Sequence, residues 1–134
     1  MFINGNDNPR FILYSPSPGM LLKYWASLNA IGIYNVTPCS IWAKLMDTSG
    51  SGDRYDMLLY DHLGDPRSLN DSLSLLEERR VARQIMVLAH IDAEPRHQLL
   101  AWARDKGIAL LDVAGPPMDS RALLGMLEKQ VACL

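Results

Sequence analysis

The sequence predicts a doubly wound α/β domain, in which a five-stranded parallel sheet and five helices form three layers. The first supporting observation is that strand-like and helix-like segments alternate five times along the chain. The second is that the strand-like segments are continuously apolar, which is typical of strands buried on both faces. Parallel strands joined by helical crossovers form such layers. The ligand site of such a sheet lies beyond the carboxyl ends of its strands.

Composition narrows the class of protein. A chain of 134 residues fits one domain, which buries roughly two-thirds of its unfolded surface and needs no metal or disulfide to fold. The net charge of −2, with scattered lysines and arginines, argues against a nucleic-acid surface. Cys39 and Cys133 match no CxxC pattern, which fits a reducing compartment. No apolar run approaches the ~20 residues of a membrane helix. We therefore expect a cytoplasmic domain without direct membrane contact, and leave open an inner-membrane anchor in a longer parent protein.

The first half of the domain is predicted from cap and proline signals. We assign residues 1–9 to an N-terminal extension and residues 10–134 to the domain, with the first strand at 10–14. Ser17 is a suitable N-cap and Pro18 a suitable first helical residue. Gly32 suits the left-handed position after a helix. The residues at helical spacing that we expect to face the sheet are Leu21, Trp25, Leu28 and Ile31.

A second strand is predicted at 33–36. Thr37 and Pro38 repeat the cap-then-proline pattern, so a short helix is expected over 39–46, followed by a loop over 47–53. The stretch YDMLLYD (55–61) predicts the third strand. The later elements follow in the same alternation: a helix over 68–82 with Leu73, Leu76 and Arg80 in step, a strand at 84–90, a helix over 94–107, a strand at 108–113, and a last helix capped by Asp119.

These segments resemble response-regulator receiver domains. YDMLLYD resembles the family's third strand, which carries an aspartate at its end. Residues 9–36 resemble its first strand, first helix and second strand, and residues 107–129 resemble its last strand, proline loop and last helix. The similarity spans roughly residues 10–132. It implies a flavodoxin-like sheet with the strand order 2-1-3-4-5.

The resemblance also implies a chemistry, and the sequence departs from it. Receiver domains move a phosphoryl group from a histidine to an aspartate, which matches Asp61. Mg²⁺ has to bridge the two anions, and it prefers carboxylate ligands. The family's acidic pair is replaced by Ser15 and Pro16, or by Pro16 and Ser17 if the alignment shifts by one residue. Its Ser or Thr after the fourth strand is replaced by Ala89, and its lysine by Pro116, or by Ala114 if counted from Gly107. We therefore expect Asp61 to be vestigial, with no metal, cofactor or catalytic residue.

Two alternatives stay open. Asp61 could accept phosphate with a makeshift Mg²⁺ site that uses Asp65, Asp92 or Asp112. The loop YSPSPG could bind the phosphate of FMN, as in flavodoxins, although prolines 16 and 18 lack backbone donors. The three histidines share no metal-ligand spacing.

We predict a pseudo-receiver: a non-enzymatic interaction and regulatory module of two-component, or phosphorelay, signal transduction. The resemblance implies a hybrid sensor histidine kinase as parent. Its partners would be other kinase domains, phosphorelay proteins or a second copy of the chain. The predicted interaction face comprises Trp102, Arg104 and Arg121, because an aromatic anchor with neighbouring arginines suits an interface.

Overall fold

A computed structural model describes residues 9–48, 54–115, 121–125 and 127 of the chain. It contains one parallel sheet of five strands in the order β2-β1-β3-β4-β5, which confirms the predicted fold class and strand order. Residues 121–125 and 127 are helical and belong to a fifth helix, α5. The other elements are β1 Phe11–Tyr14, α1 Pro18–Ala30, β2 Val36–Cys39, α2 Trp42–Asp47, β3 Tyr55–Asp61, a 3-10 turn Pro66–Ser68, α3 Leu69–Glu78, β4 Ala82–Leu88, α4 Ala93–Asp105 and β5 Leu110–Ala114.

Apolar side chains cover both faces of the sheet. Alternate strand residues such as Leu13 and Leu59 pack with α1 and α5 on one face. Their neighbours, such as Ile12 and Leu58, pack with α2, α3 and α4 on the other face. Burial on both faces explains why the strands are continuously apolar in sequence. On α1, the residues that are fully buried are Tyr24 and Leu28, whereas the predicted inward residues Leu21, Trp25 and Ile31 are partly buried.

Local signals correctly place the ends of several helices. The Ser17 side chain accepts a hydrogen bond from the Met20 N–H at 3.4 Å, and Pro18 is the first residue of α1. Gly32 and Gly107 follow helices with φ values of +88° and +73°. Glycine adopts this left-handed conformation without the steric cost that a Cβ would add.

The predicted second strand and second helix are displaced toward the C-terminus. β2 begins at Val36 rather than at residue 33, and the Thr37-Pro38 pair lies inside it instead of capping a helix. α2 begins only at Trp42, and Ile41 at its N-cap makes no side-chain cap hydrogen bond. Pairing with β1, in which Val36 lies opposite Phe11, overrides the local signal. Pro38 is tolerated because β2 is an edge strand.

The predicted third helix is too long. α3 ends at Glu78, so Arg80 is not part of its buried face as predicted. The Val81 N–H donates to the Leu76 carbonyl and the Arg80 N–H to the Glu77 carbonyl, while Arg80 adopts φ +54°. These two bonds and the left-handed residue form a Schellman ending. β4 consequently starts at Ala82, two residues before its predicted start. Separately, β5 starts at Leu110, two residues after its predicted start.

Some predicted features lie outside the described residues. These are residues 1–8 of the extension, residues 49–53 of the predicted loop, the cap Asp119, the family position Pro116, and Cys133.

Candidate functional site

Ser15 and Asp61 meet at the carboxyl edge of the sheet. Tyr14 and Tyr60 lie opposite each other in the register of β1 and β3, so the residues that follow them are neighbours. Both side chains have 0% exposure, and Ser15 Oγ donates a 2.7 Å hydrogen bond to Asp61 Oδ2. The Ser17 N–H in turn donates to Ser15 Oγ at 3.2 Å. The serine that replaces a family carboxylate is thus the hydrogen-bond partner of the aspartate.

The surroundings of Asp61 disfavour its charge. Burial raises the pKa of this carboxyl group, and the hydrogen bond from Ser15 and the neighbouring His62 oppose the shift only in part. Asp61 Oδ1 has no hydrogen-bond partner among the described residues. The hydroxyl of Tyr24 is a second buried oxygen without a described partner, and burial together with the Asp61 charge raises the pKa of Tyr24 to about 12.

The described residues at the positions that match other site residues of receiver domains carry no charge. Pro16 is exposed, and Ala89 is buried with its backbone N–H donating to the Ala114 carbonyl. Within the described ranges, no group of three or more His, Cys, Asp or Glu residues could hold a metal ion.

Two of the three other carboxylates that could assist Asp61 are held in ion pairs in the structure. Asp65 is paired with Arg67 at 2.9 Å, and Asp112 is paired with Arg96. Asp92 is exposed at the N-cap of α4. The hydroxyls of the YSPSPG loop are also used, since Ser15 bonds to Asp61 and Ser17 caps α1.

An aromatic cluster covers the α2–α3 side of the Ser15–Asp61 pair. The rings of Tyr14 and Tyr60 stack with centroids 5.5 Å apart, and Trp42 contacts both at 5.8 and 5.9 Å. Burial is the main cause that raises the pKa values of both tyrosines. Sequence reasoning missed this cluster. The available signal was a tyrosine at the end of two apolar strands that are neighbours in the sheet.

His62 joins this cluster to the loop that follows β3. The Tyr60 hydroxyl lies 2.9 Å from His62 Nδ1, and His62 Nε2 lies 2.9 Å from the Asp65 carbonyl. Because a carbonyl only accepts, Nε2 donates to Asp65; in the neutral imidazole, Nδ1 then accepts from the Tyr60 hydroxyl. Ser68 Oγ donates to the same carbonyl at 2.7 Å. His62 is therefore a structural residue of this loop, while His90 and His97 are exposed.

The predicted interaction residues do not share one groove. Trp102 is partly buried and lines a groove of about 580 Å³ between α3 and α4 at the carboxyl edge. Arg104 is exposed and borders a different depression, beside Ile108 and Leu110 at the amino edge of the sheet. Arg121 is exposed on α5.

Solved structures with similar folds include many response regulators. A response regulator from Colwellia psychrerythraea is 12% identical, with a TM-score of 0.68 over 94% of this chain and 98% of that one. One from Thermotoga maritima is 20% identical, with a TM-score of 0.65 over 93% and 98%.

The chain has the fold of receiver domains. This receiver fold is also similar to a de novo designed Rossmann 2x3 protein, 11% identical, with a TM-score of 0.59 over 92% of this chain and 90% of that one. No protein-family model matches the sequence, and no curated protein is significantly similar to it. Among the described residues, no helix is both long and apolar enough to span a membrane.

Proposed function

We propose that this chain is a pseudo-receiver, a regulatory interaction module of two-component signalling that is not itself phosphorylated. The observation that carries the proposal is the state of Asp61. Its side chain is fully buried, its one described hydrogen bond comes from the neutral Ser15, and burial raises its pKa. A phosphoacceptor needs the opposite properties: access to the donor, a carboxylate charge, and cations around it.

Residues that would hold Mg²⁺ and bind the phosphoryl group in the receiver family are replaced in this sequence. An anionic carboxylate and a phosphoryl donor repel each other, so catalysis of the transfer is mainly electrostatic stabilisation by Mg²⁺ and basic side chains. Removing one such stabilising group typically costs about 3–4 kcal/mol of transition-state stabilisation. Here Ser15 and Pro16 replace a carboxylate pair, and Ala89 replaces a hydroxyl. Losses within one site are not additive, but they all act in the same direction.

The receiver fold supports the signalling context. We propose that the module is cytoplasmic, belongs to a hybrid sensor histidine kinase, and contacts the other kinase domains or phosphorelay proteins. Without a phosphate switch, regulation comes from a partner that binds one conformation better than another. The predicted interaction face of Trp102, Arg104 and Arg121 is the proposed place for a second copy of the chain. Trp102 is partly buried, and both arginines are exposed.

Intact-mass measurement after incubation with acetyl phosphate and Mg²⁺ tests the proposal. We expect no mass increase, and no Mg²⁺-dependent change in thermal stability. The control is Asp61→Asn, treated identically. A phosphoryl adduct on the natural chain that is absent from this variant would show that Asp61 is a working phosphoacceptor. The same preparations distinguish the flavodoxin-like alternative, which predicts stabilisation by FMN.

A further inference from the structure

A groove opens at the carboxyl edge of the sheet, beside the buried Ser15–Asp61 pair. One wall is formed by the β3–α3 loop and the start of α3, and the other by the β4–α4 loop and α4. We call it the α3–α4 groove. Its volume of about 580 Å³ lies in the range of sites that hold a small ligand or a few side chains. Residues that line it include Asp65, Asn70, Ile91, Asp92, Leu99 and Trp102.

The α4 wall of the groove is apolar. Leu99 and Trp102 are three residues apart on α4 and therefore point to the same side of the helix. Leu99 belongs to the core, and Trp102 is partly buried against that core while it also lines the groove. Ile91 adds a third apolar side chain. A tryptophan that is partly buried in a groove offers a large and rigid contact area.

Specific contacts hold both walls in place. On the α3 side, His62 bonds to the Tyr60 hydroxyl and to the Asp65 carbonyl. On the α4 side, Arg96 is paired with Asp112, and its Nε donates to the Val113 carbonyl at 2.8 Å. The groove is therefore formed before any ligand binds, and binding loses little conformational entropy from ordering it.

The rim of the groove carries excess negative charge. The rim has two carboxylates, those of Asp65 and Asp92, and one guanidinium, that of Arg67. Arg67 is bonded to Asp65 through both Nε and a terminal nitrogen, so these two charges largely satisfy each other. Asp92 occupies the N-cap of α4, yet its side chain makes no cap hydrogen bond. Its exposed carboxylate can therefore pair with a cation. His90 and the positive end of the α4 dipole lie close to it.

We propose that the α3–α4 groove docks a segment of a partner protein in which an apolar side chain neighbours an arginine or lysine. The apolar side chain packs on Trp102, Leu99 and Ile91, and the basic side chain pairs with Asp92. This inference rests on the proposed function, since it names the site and the chemistry by which the interaction module recognises a partner.

An NMR titration of the ¹⁵N-labelled chain tests this proposal with two matched probes, N-acetyl-leucyl-arginine amide and N-acetyl-leucyl-glutamate amide. We expect saturable shifts, at millimolar concentration, of the Ile91 and Leu99 amides and of the Trp102 indole N–H. The arginine probe should bind up to about fivefold more tightly than the glutamate probe, the upper end of the range for one exposed charge pair. Asp92→Asn should remove this preference, because asparagine caps a helix equally well without the charge.

Asp105→Asn is the matched control, because it removes an exposed carboxylate from the other end of the same helix. This variant should keep the preference for the arginine probe. The proposal is overturned if neither probe gives saturable shifts at these residues, if both bind equally, or if Asp92→Asn leaves the preference unchanged. Phosphoryl labelling of Asp61 would overturn the proposed function, whereas failure of the peptide titration with unlabelled Asp61 would overturn the groove assignment alone.

Discussion

Two neighbouring regions of the carboxyl edge differ in access and in charge. At the ends of β1 and β3, Ser15 and Asp61 are fully buried and bonded to each other beside an aromatic cluster. Between α3 and α4, the carboxylates of Asp65 and Asp92 are exposed on the rim of an open groove. The resemblance to receiver domains matches their phosphoaccepting aspartate to Asp61, in the first region. In this chain the first region is closed to solvent, and the second is open to it.

The largest expected effect comes from Tyr60, which contacts both regions. Its ring stacks on Tyr14, and its hydroxyl bonds to His62 in the loop that forms one groove wall. Tyr60→Ala should lower the free energy of unfolding by about 3–5 kcal/mol, the usual cost of truncating a buried aromatic side chain. Tyr60→Phe keeps the ring and should lower it by only about 1 kcal/mol, the contribution of one hydrogen bond. Urea unfolding followed by circular dichroism measures both, and equal losses would contradict the role assigned to the ring.

A smaller effect is expected from the contact that holds α4 against β5. Arg96 pairs with Asp112 and bonds to the Val113 carbonyl, and both charged side chains are partly buried. Arg96→Met should lower the free energy of unfolding by about 1–2 kcal/mol and speed amide exchange in α4. Arg104→Met is the control, because it removes an exposed arginine from the same helix and should change stability by less than about 0.5 kcal/mol. If the two variants lost equal stability, Arg96 would not be the residue that fixes this wall.

Tyr24 and Tyr60 offer a comparison of opposite sign. Both hydroxyls are buried, but only that of Tyr60 has a described hydrogen-bond partner, since that of Tyr24 lacks one. Tyr24→Phe should therefore leave stability unchanged or raise it by up to about 1 kcal/mol, whereas Tyr60→Phe should lower it. Thermal unfolding of the two variants side by side is the measurement. A clear loss of stability in Tyr24→Phe would show that its hydroxyl is satisfied.

The last comparison concerns how stability depends on pH. Burial raises the pKa of Asp61, so its favourable contribution is fully present below the unfolded pKa and is lost as pH rises through the folded pKa. The hydrogen bonds with Arg67 lower the pKa of Asp65, so its contribution is present above the unfolded pKa and is lost as pH falls through the folded pKa.

The variants Asp61→Asn and Asp65→Asn should therefore change the pH profile in opposite directions. In Asp61→Asn, the loss of stability as pH rises from the unfolded pKa through the folded pKa of Asp61 should disappear. In Asp65→Asn, a small loss on acidification should disappear, and it should be small because this ion pair is exposed. Urea midpoints at a series of pH values give both slopes. If the stability of Asp61→Asn depended on pH in the same way as that of the natural chain, burial would not raise the pKa of Asp61.

Local patterns in the sequence were enough to predict the order of strands and helices along the chain and several of their ends. Ser17 and Pro18 start α1, and Gly32 and Gly107 follow helices, because caps, proline and left-handed glycine act through contacts within a few residues. The position of Asp61 at the end of β3 was also predictable, since an apolar run gives way there to polar residues. The sequence also shows Ser15 and Pro16 at the positions that match the acidic pair of receiver domains.

Contacts between distant segments set the register of β2, bury Tyr24 rather than Trp25, and form the groove beside Trp102. The Ser15–Asp61 hydrogen bond joins residues 46 positions apart, so no local pattern could predict it. The same holds for the charges on the groove rim, which come from two separate loops. Pairing across a sheet and packing between helices bring distant segments of the chain into contact. When these non-local contacts stabilise the fold more than a cap or a helix start does, they override the local preference, as they do at Thr37 and Pro38.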